Sequence, residues 1–142
     1  MIWTKCVVAM IVADTSVWID YFKGKVSPAT DFLDSQLDTG LVVIGDLILL
    51  EILQGFKADK DYSLAKEVLL LLQQKEFLDC DLALVAAENY RKLRKKGITI
   101  RKTNDVIIAS YCIANNLPLL FSDRDFQPFV KHLGLQNALV VD

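Results

Sequence analysis

Four acidic residues, Asp14, Glu51, Asp105 and Asp123, lie where apolar runs meet a turn or the opening of a helix, although they are spread over more than a hundred positions. Brought together, such side chains form a carboxylate cage. Carboxylates converging within about 5 Å repel by roughly 3 kcal/mol per pair at an effective dielectric near 20, so the group must take up protons or a cation. With oxygen ligands and no His or Cys alongside, the fitting cation is hard, Mg²⁺ or Mn²⁺ held by a few carboxylates and waters; zinc is disfavoured. A metal held by acids suits phosphoryl chemistry, where it stabilises charge on phosphate oxygens and helps to deprotonate an attacking water. The chain has no GxxxxGK[ST] loop, which disfavours nucleoside triphosphate hydrolysis. A nucleic-acid phosphodiester, cleaved by water, is the better substrate.

Each acid also has a plainer explanation. Asp14 fits a helix N-cap, and Asp123 or Asp125 fits the cap of the helix that follows. Asp105 falls in a first helical turn, where a negative charge is worth roughly 0.3–1 kcal/mol against the macrodipole. Glu51, among the aliphatics of "LILLEILQGF", fits a narrow exposed stripe of a mostly buried helix; inside, it would need a partner or a metal. Their joint placement at one edge of a sheet is what these separate explanations do not cover.

The elements that must position them follow from the apolar patterning. Residues 11–13 read as a buried strand with Asp14 just past its C-terminal end, the edge at which open α/β sheets bind ligands. "SVWIDYFKG" reads as a helix ending at Gly24, and Ser27-Pro28 opens a second one running to about Asp38. "LVVI" is a strand, Gly45-Asp46 caps the helix of Glu51, and "DYSLAKEVLLLLQQK" is a longer helix with apolar residues at 64, 68, 71 and 72. "EFLDC" reads as a third strand, Asp81 as the cap of "LALVAAENYRKLRKKG", and "TNDVIIASYCIANN" as a helix stopped by its asparagines. "LPLLFSD" is a strand, "DFQPFVKHLG" a short helix and "ALVV" the last strand. Alternating strands and helices imply an α/β fold with a parallel sheet covered on both faces.

The net charge of −2 and a pI near 5.4 argue against a general nucleic-acid binder. Yet Arg91, Lys92, Arg94, Lys95, Lys96, Arg101 and Lys102, seven of sixteen basic residues, precede Asp105 within twelve positions. Lys95, Lys96, Arg101 and Lys102 are candidate RNA-phosphate contacts; cations solvated at a helix C-terminus are the alternative. A hydrophobic fraction of 53% and a mean hydropathy of +0.32 suggest apolar surface covered by a second subunit or partner.

Cys6, Cys80 and Cys112 form no CxxC and read as buried thiols in a reducing cytoplasm. The first residues weakly imitate a signal peptide, but cleavage near Ala13 would remove the strand that carries Asp14. No run reaches the roughly 18 apolar residues of a membrane span, so no membrane association is expected. His132 reads as a surface residue, and Trp3, Trp18, Phe126 and Phe129 as core or interface.

Taken together, "VADTSVWIDYF", "LEILQGF" and "GITIRKTNDVIIASYCIANNLPLLFSDRDF" resemble the PIN-domain ribonucleases, specifically the VapC-type toxins of toxin-antitoxin modules. The similarity runs from about Ile11 to the C-terminus. It implies a single three-layer α/β/α PIN-like domain over residues 1–142 with a central parallel sheet, and a Mg²⁺- or Mn²⁺-dependent endoribonuclease acting on RNA. It also implies a homodimer and a cognate VapB-like antitoxin that blocks the site. By motif, Asp14 is the first catalytic and metal-binding acid, Glu51 the second and Asp105 the third. The fourth falls in "SDRDF", where Asp123 comes first after the strand and Asp125 is the alternative. Thr15 or Ser16 supports the site by hydrogen bonding to a metal-bound water or phosphate.

The first acid of this family usually lies near the start, whereas here nine residues precede Met10: either residues 1–9 are an extension or Met10 is the initiator. A phosphoacceptor receiver domain would need an acidic pair after the first strand and a Lys near the end of the last, and "ALVVD" has none. The same motifs also suit a PIN-type nuclease in RNA processing. A non-catalytic RNA-binding relative would keep the fold without cleavage, and the presence of all four acids argues against it.

Overall fold

In a computed structural model, residues 10–139 are described. Strands β1 (Ile11–Ala13), β2 (Val42–Gly45), β3 (Gln73–Lys75) and β4 (Leu119–Leu120) form one sheet in the order β3-β2-β1-β4, parallel at every pairing. Strands β1, β2 and β4 are buried at every position, as unbroken apolar runs covered on both faces must be. At the edge, β3 is polar and exposed, which discourages further pairing there. Around the sheet lie α1 (Thr15–Phe22), α2 (Pro28–Leu37), α3 (Asp46–Gln54), α4 (Asp59–Leu70), α5 (Cys80–Lys95), α6 (Thr103–Ala114) and α7 (Gln127–Leu133). This is the expected three-layer α/β/α arrangement.

The strand order positions the site. From β1 the chain moves outward through β2 to β3, then returns to the other side of β1 for β4. The order therefore reverses between β1 and β4, and the crevice beyond the C-terminal ends of those two strands is where such sheets bind ligands. Asp14 follows β1 and Asp123 follows β4. The Asp14 N–H donates to the Leu120 carbonyl at 2.8 Å, fixing the two exits side by side.

Local chemistry explains most boundaries. Ser27 and Thr30 form a reciprocal capping box with Pro28 in the first turn of α2. Asn116 adopts φ 58° after α6, and the Asn115 Nδ2 donates to the Tyr111 carbonyl at 2.9 Å. The core contains Trp18, Phe126 and Phe129, fully buried, while His132 is half-buried on α7. In α6 every residue from Asp105 to Ser110 is buried, as is Cys112, and α5 is tied to this helix where the Asn89 Nδ2 donates to the Ser110 Oγ at 2.9 Å in the interior.

Several expectations are corrected. The third strand is Gln73–Lys75, not "EFLDC": α4 stops at Leu70, and the Gln74 Nε2 donates to the carbonyls of Leu69 and Leu72 left open by its end. Within "EFLDC" the buried Phe77 stacks on Tyr111 with centroids 4.0 Å apart, and Asp79 rather than Asp81 caps α5, accepting from the Leu82 N–H at 2.8 Å. The inward face of α4 carries Ala65 and Leu69, whereas Leu64, Val68 and Leu71 of the expected stripe are exposed and Leu72 is only half-buried. Cys112 is buried as expected, but Cys80 is exposed. Of "ALVV", residues 138 and 139 lie in a turn after a parallel bridge between Leu119 and Asn137. Residues 140 and 141, like Cys6, Trp3 and the whole 1–9 segment, lie outside the described residues. No described helix is long and apolar enough to cross a membrane.

Candidate active site

Asp14 is only 5% exposed and is the N-cap of α1. Its Oδ2 accepts from the Ser16 Oγ at 2.7 Å and, more distantly, from the Ser16 N–H at 3.4 Å. Burial pushes the Asp14 carboxyl above its ordinary range; the Ser16 and Thr15 donors work against that, and the nearby Glu51 charge adds to it. Glu51, half-buried on α3, accepts from the Thr15 Oγ1 at 2.9 Å. The two hydroxyl residues of "DTS" are thus each committed to one acid, and the short helix α1 serves as a bracket between them.

Asp105 stands in the first turn of α6, 8% exposed, with its Oδ2 buried and lacking a hydrogen-bond partner. Its carboxyl is pushed up to about 7. Burial is the main cause, followed by the charge of Asp14; Asp123 and Glu51 contribute further, and Lys102 opposes them. Asp14, Glu51 and Asp123 are therefore each close enough to act on Asp105. A dry, charged oxygen without a donor is costly unless it is protonated or meets a cation.

The tightest group contains a fifth acid. Carboxylate oxygens of Asp105, Asp123 and Asp125 lie within 4.8 Å of one another. The Asp123 Oδ1 accepts the Asp125 N–H at 3.0 Å and opens the 3-10 turn Arg124–Phe126, which brings both side chains to the same end of β4. The sequence offers Asp123 and Asp125 as rivals for one role, but in the structure they stand together. Two acids at i and i+2 around such a turn are the signal for this.

The basic residues divide. Lys102 is the N-cap of α6; its carbonyl accepts the Asp105 N–H at 3.1 Å, and its charge is felt at the Asp105 carboxyl. Arg101 is exposed beside it. Lys95 ends α5 and Lys96 caps it, positions that the helix dipole favours for cations. Among the described residues none of these four forms an ion pair. A separate apolar groove of about 480 Å³ lies between α5 and α6, lined by Ala83, Ala87, Tyr90 and Ile107 with Arg91 and Arg94; it contains none of the acids.

As a donor set, the three carboxylates of Asp105, Asp123 and Asp125, with Asp14 and Glu51 near enough to act on Asp105, fit a hard divalent cation, and the unpartnered Asp105 oxygen is an atom such an ion would satisfy. Nothing in the arrangement resembles a thiolate or imidazole site for zinc.

Comparison with known proteins gives the family and the fold. VapC ribonuclease Mb1587 of Mycobacterium bovis is 29% identical over 131 residues, covering 91% of this chain and 98% of that protein. Ribonuclease VapC11 of Mycobacterium tuberculosis matches to the same extent. Among solved structures, a chain of VapBC2 from Rickettsia felis, bound to a DNA fragment from its promoter, superposes with a TM-score of 0.72 at 20% identity, covering 90% of this chain and 96% of that one. A chain of a toxin-antitoxin complex from Klebsiella pneumoniae gives 0.64 at 17% identity, covering 88% and 94%. The PIN domain model matches residues 11–130, a span that begins at β1, ends in α7 and contains all five acids, and the chain belongs to that family.

Proposed function

We propose that this chain is a Mg²⁺- or Mn²⁺-dependent endoribonuclease that hydrolyses RNA phosphodiester bonds as the toxin of a toxin-antitoxin pair acting in the cytoplasm. The buried Asp105 carboxylate carries the reading: one oxygen is unpartnered, and Asp14, Glu51 and Asp123 crowd it at the switch point of a parallel sheet. The relatives named as VapC ribonucleases supply the substrate class.

Asp105, Asp123 and Asp125 would hold the cation from the α6 and β4 sides, with Asp14 and Glu51 facing them from α1 and α3. When bound, the cation stabilises charge on the phosphate oxygens and lowers the pKa of a coordinated water. The protein's own groups do the rest. Ser16 and Thr15 hold the Asp14 and Glu51 carboxylates in fixed orientations. Glu51, less buried than Asp14, offers a carboxylate that accepts a proton from the attacking water. Lys102 and Arg101 offset phosphate charge at the entrance, and Lys95 and Lys96 extend the track.

A VapB-like antitoxin and a second copy of the chain are the partners on this reading. The exposed Leu64 and Val68 of α4 and Leu71 just after it, with Phe22 and Phe56 beside Leu64 and Val68, provide apolar surface for such contacts. The test is cleavage of a single-stranded RNA by the purified chain. Activity is expected with Mg²⁺ or Mn²⁺, and none is expected after EDTA or in Asp14→Asn. Cleavage that survives EDTA, or a folded Asp14→Asn chain cutting at the wild-type rate, overturns the proposal.

A further inference from the structure

We infer that the groove between α5 and α6 is a slot for one unpaired RNA base, which stacks on Tyr90 a few nucleotides from the bond that is cut. The inference rests on the reading of the chain as a ribonuclease and adds to it a place where the strand is gripped away from the acids.

The lining suits a flat ring. The groove holds about 480 Å³, inside the range of about 300–1,000 Å³ found for small-ligand sites. Ala83, Ala87, Tyr90 and Arg94 line it from one face of α5, and the buried Val106 and Ile107 face them from α6. The two alanines leave the groove open beside the half-buried Tyr90. The Arg94 guanidinium lies 5.6 Å from the centre of the Tyr90 ring. Aromatic rings and guanidinium planes are the surfaces on which unstacked RNA bases pack.

Charge favours the same occupant. Arg91 and Arg94 stand exposed at the groove, and among the described residues neither forms an ion pair. No acid lines it. A second copy of the chain, seated there about a two-fold axis, would bring the same arginines and no carboxylate to meet them. An RNA strand brings a phosphate with every base.

The groove is also continuous with the acids. Thr103 lines it two positions before Asp105, in the same first turn of α6, while helical spacing turns Asp105 to the other side, toward Asp123 and Asp125. A strand joining the two sites crosses the start of one helix, about 10–12 Å across. Arg101 and Lys102 stand exposed at that crossing. The N-cap Lys102 gives no side-chain hydrogen bond to the first N–H groups of α6, which leaves that end suited to a phosphate.

The experiment is binding of a single-stranded RNA of fixed sequence to the full chain in an Asp14→Asn background, with one base at a time replaced by an abasic site. One abasic position, a few nucleotides from the cut, is expected to weaken binding about tenfold, as loss of one base–aromatic stack does. Tyr90→Leu should weaken binding of the intact RNA by a similar factor and make that position indifferent to loss of its base. Tyr90→Phe should keep both properties. A merely structural tyrosine would instead affect intact and abasic RNA alike, which overturns the slot. Ala87→Leu fills the groove from an exposed position and should act as Tyr90→Leu does; circular dichroism establishes that each chain is folded. With Asp14 restored, both variants should raise KM and leave kcat nearly unchanged. Binding of intact RNA within about twofold of the parent in Tyr90→Leu and Ala87→Leu, while wild type cuts RNA, overturns the slot and leaves the ribonuclease. That result together with loss of a dimer in Ala87→Leu, read by sedimentation, gives the groove to a second copy instead. A wild type that neither binds nor cuts RNA overturns both readings.

Discussion

The Thr15 hydroxyl donates to the Glu51 carboxylate at 2.9 Å, joining the helix that follows β1 to the helix that follows β2 across 36 positions of sequence. Because Thr15 directly follows Asp14, this bond sets the spacing of two acids from different elements. Thr15→Val removes the donor at nearly constant volume and leaves Glu51 free to turn. Hydrogen bonds to charged groups are worth about 1.5–3 kcal/mol, and 1.4 kcal/mol is tenfold in rate. RNA cleavage by Thr15→Val is expected to fall roughly tenfold, with Thr15→Ser within about twofold of wild type. Equal rates for the two variants would mean that the hydroxyl does not position Glu51.

Asp105 predicts an inverted pH dependence of stability in the metal-free protein. Its carboxyl titrates at about 7 when folded, against an ordinary 3.8, with burial the main cause and the charge of Asp14 the next. Between these values the folded chain holds a proton that the unfolded chain has released. The associated stability is full below about pH 4 and is lost as pH rises through about 7. Asp105→Asn, neutral throughout, should flatten that loss and gain on the order of 1–3 kcal/mol over wild type near pH 8. Thermal melts in EDTA near pH 5 and pH 8 read the difference directly. Added Mn²⁺ should restore the wild type near pH 8 and bind more weakly at lower pH, because binding displaces the proton. Parallel melting of the two proteins across this range would remove the raised Asp105 carboxyl.

The acids are legible in the sequence because a carboxylate at the end of an apolar run is conspicuous, and three separate runs end in one. The parallel sheet is legible too, since "IVA" and "VVI" are apolar without alternation, and β1 and β2 are buried throughout. Legibility fails where tertiary contacts decide. "LLLLQQK" continues a helical pattern, but its end is drawn into β-pairing alongside β2 and sealed by the Gln74 side chain. Periodicity around Leu64, Val68 and Leu71 marks an apolar stripe without saying which side the core occupies; the small Ala65 and buried Leu69 take that side. The pairing of Asp123 with Asp125 is signalled by their i, i+2 spacing, but reading the two as rivals leaves out the backbone hydrogen bond that sets both at one strand end.

Gly45 connects packing to the site. It ends β2 one residue before α3, and a Cβ there would lie 2.5 Å from the Phe77 ring. Its φ of −89° suits any residue, so the conflict is with that ring alone. Phe77 is held by its N–H to the Asp46 Oδ1 at 3.0 Å and by stacking on Tyr111 of α6. Gly45→Ala must therefore strain the helices of both Glu51 and Asp105. A loss of about 1–3 kcal/mol is expected, together with reduced cleavage by the chains that remain folded. Adding Phe77→Leu should recover part of the loss, because the two positions share one contact. Additive losses in the double variant would place the strain elsewhere.

The basic residues offer the last test, and the two halves of the stretch should behave differently. Lys95 and Lys96 sit at the C-terminal end of α5, where the helix dipole favours a cation whether or not RNA is bound. Lys102 is different: its charge reaches Asp105, and its carbonyl anchors the N–H of that residue. RNA affinity measured against salt in an Asp14→Asn background, which prevents cleavage, separates the roles. Removing one cation that touches a phosphate should flatten the logarithmic salt dependence by about 0.7 for a single strand. Arg101→Ala/Lys102→Ala is expected to lower the slope more than Lys95→Ala/Lys96→Ala. Lys102→Ala alone should also push the Asp105 carboxyl further up, since the ammonium that opposes its neighbours is gone, and the pH at which Mn²⁺ binds should rise with it. An unchanged slope in both pairs would leave the stretch as solvated surface. A changed slope with no shift in the pH of metal binding would make Lys102 a residue that meets RNA without being coupled to the acids.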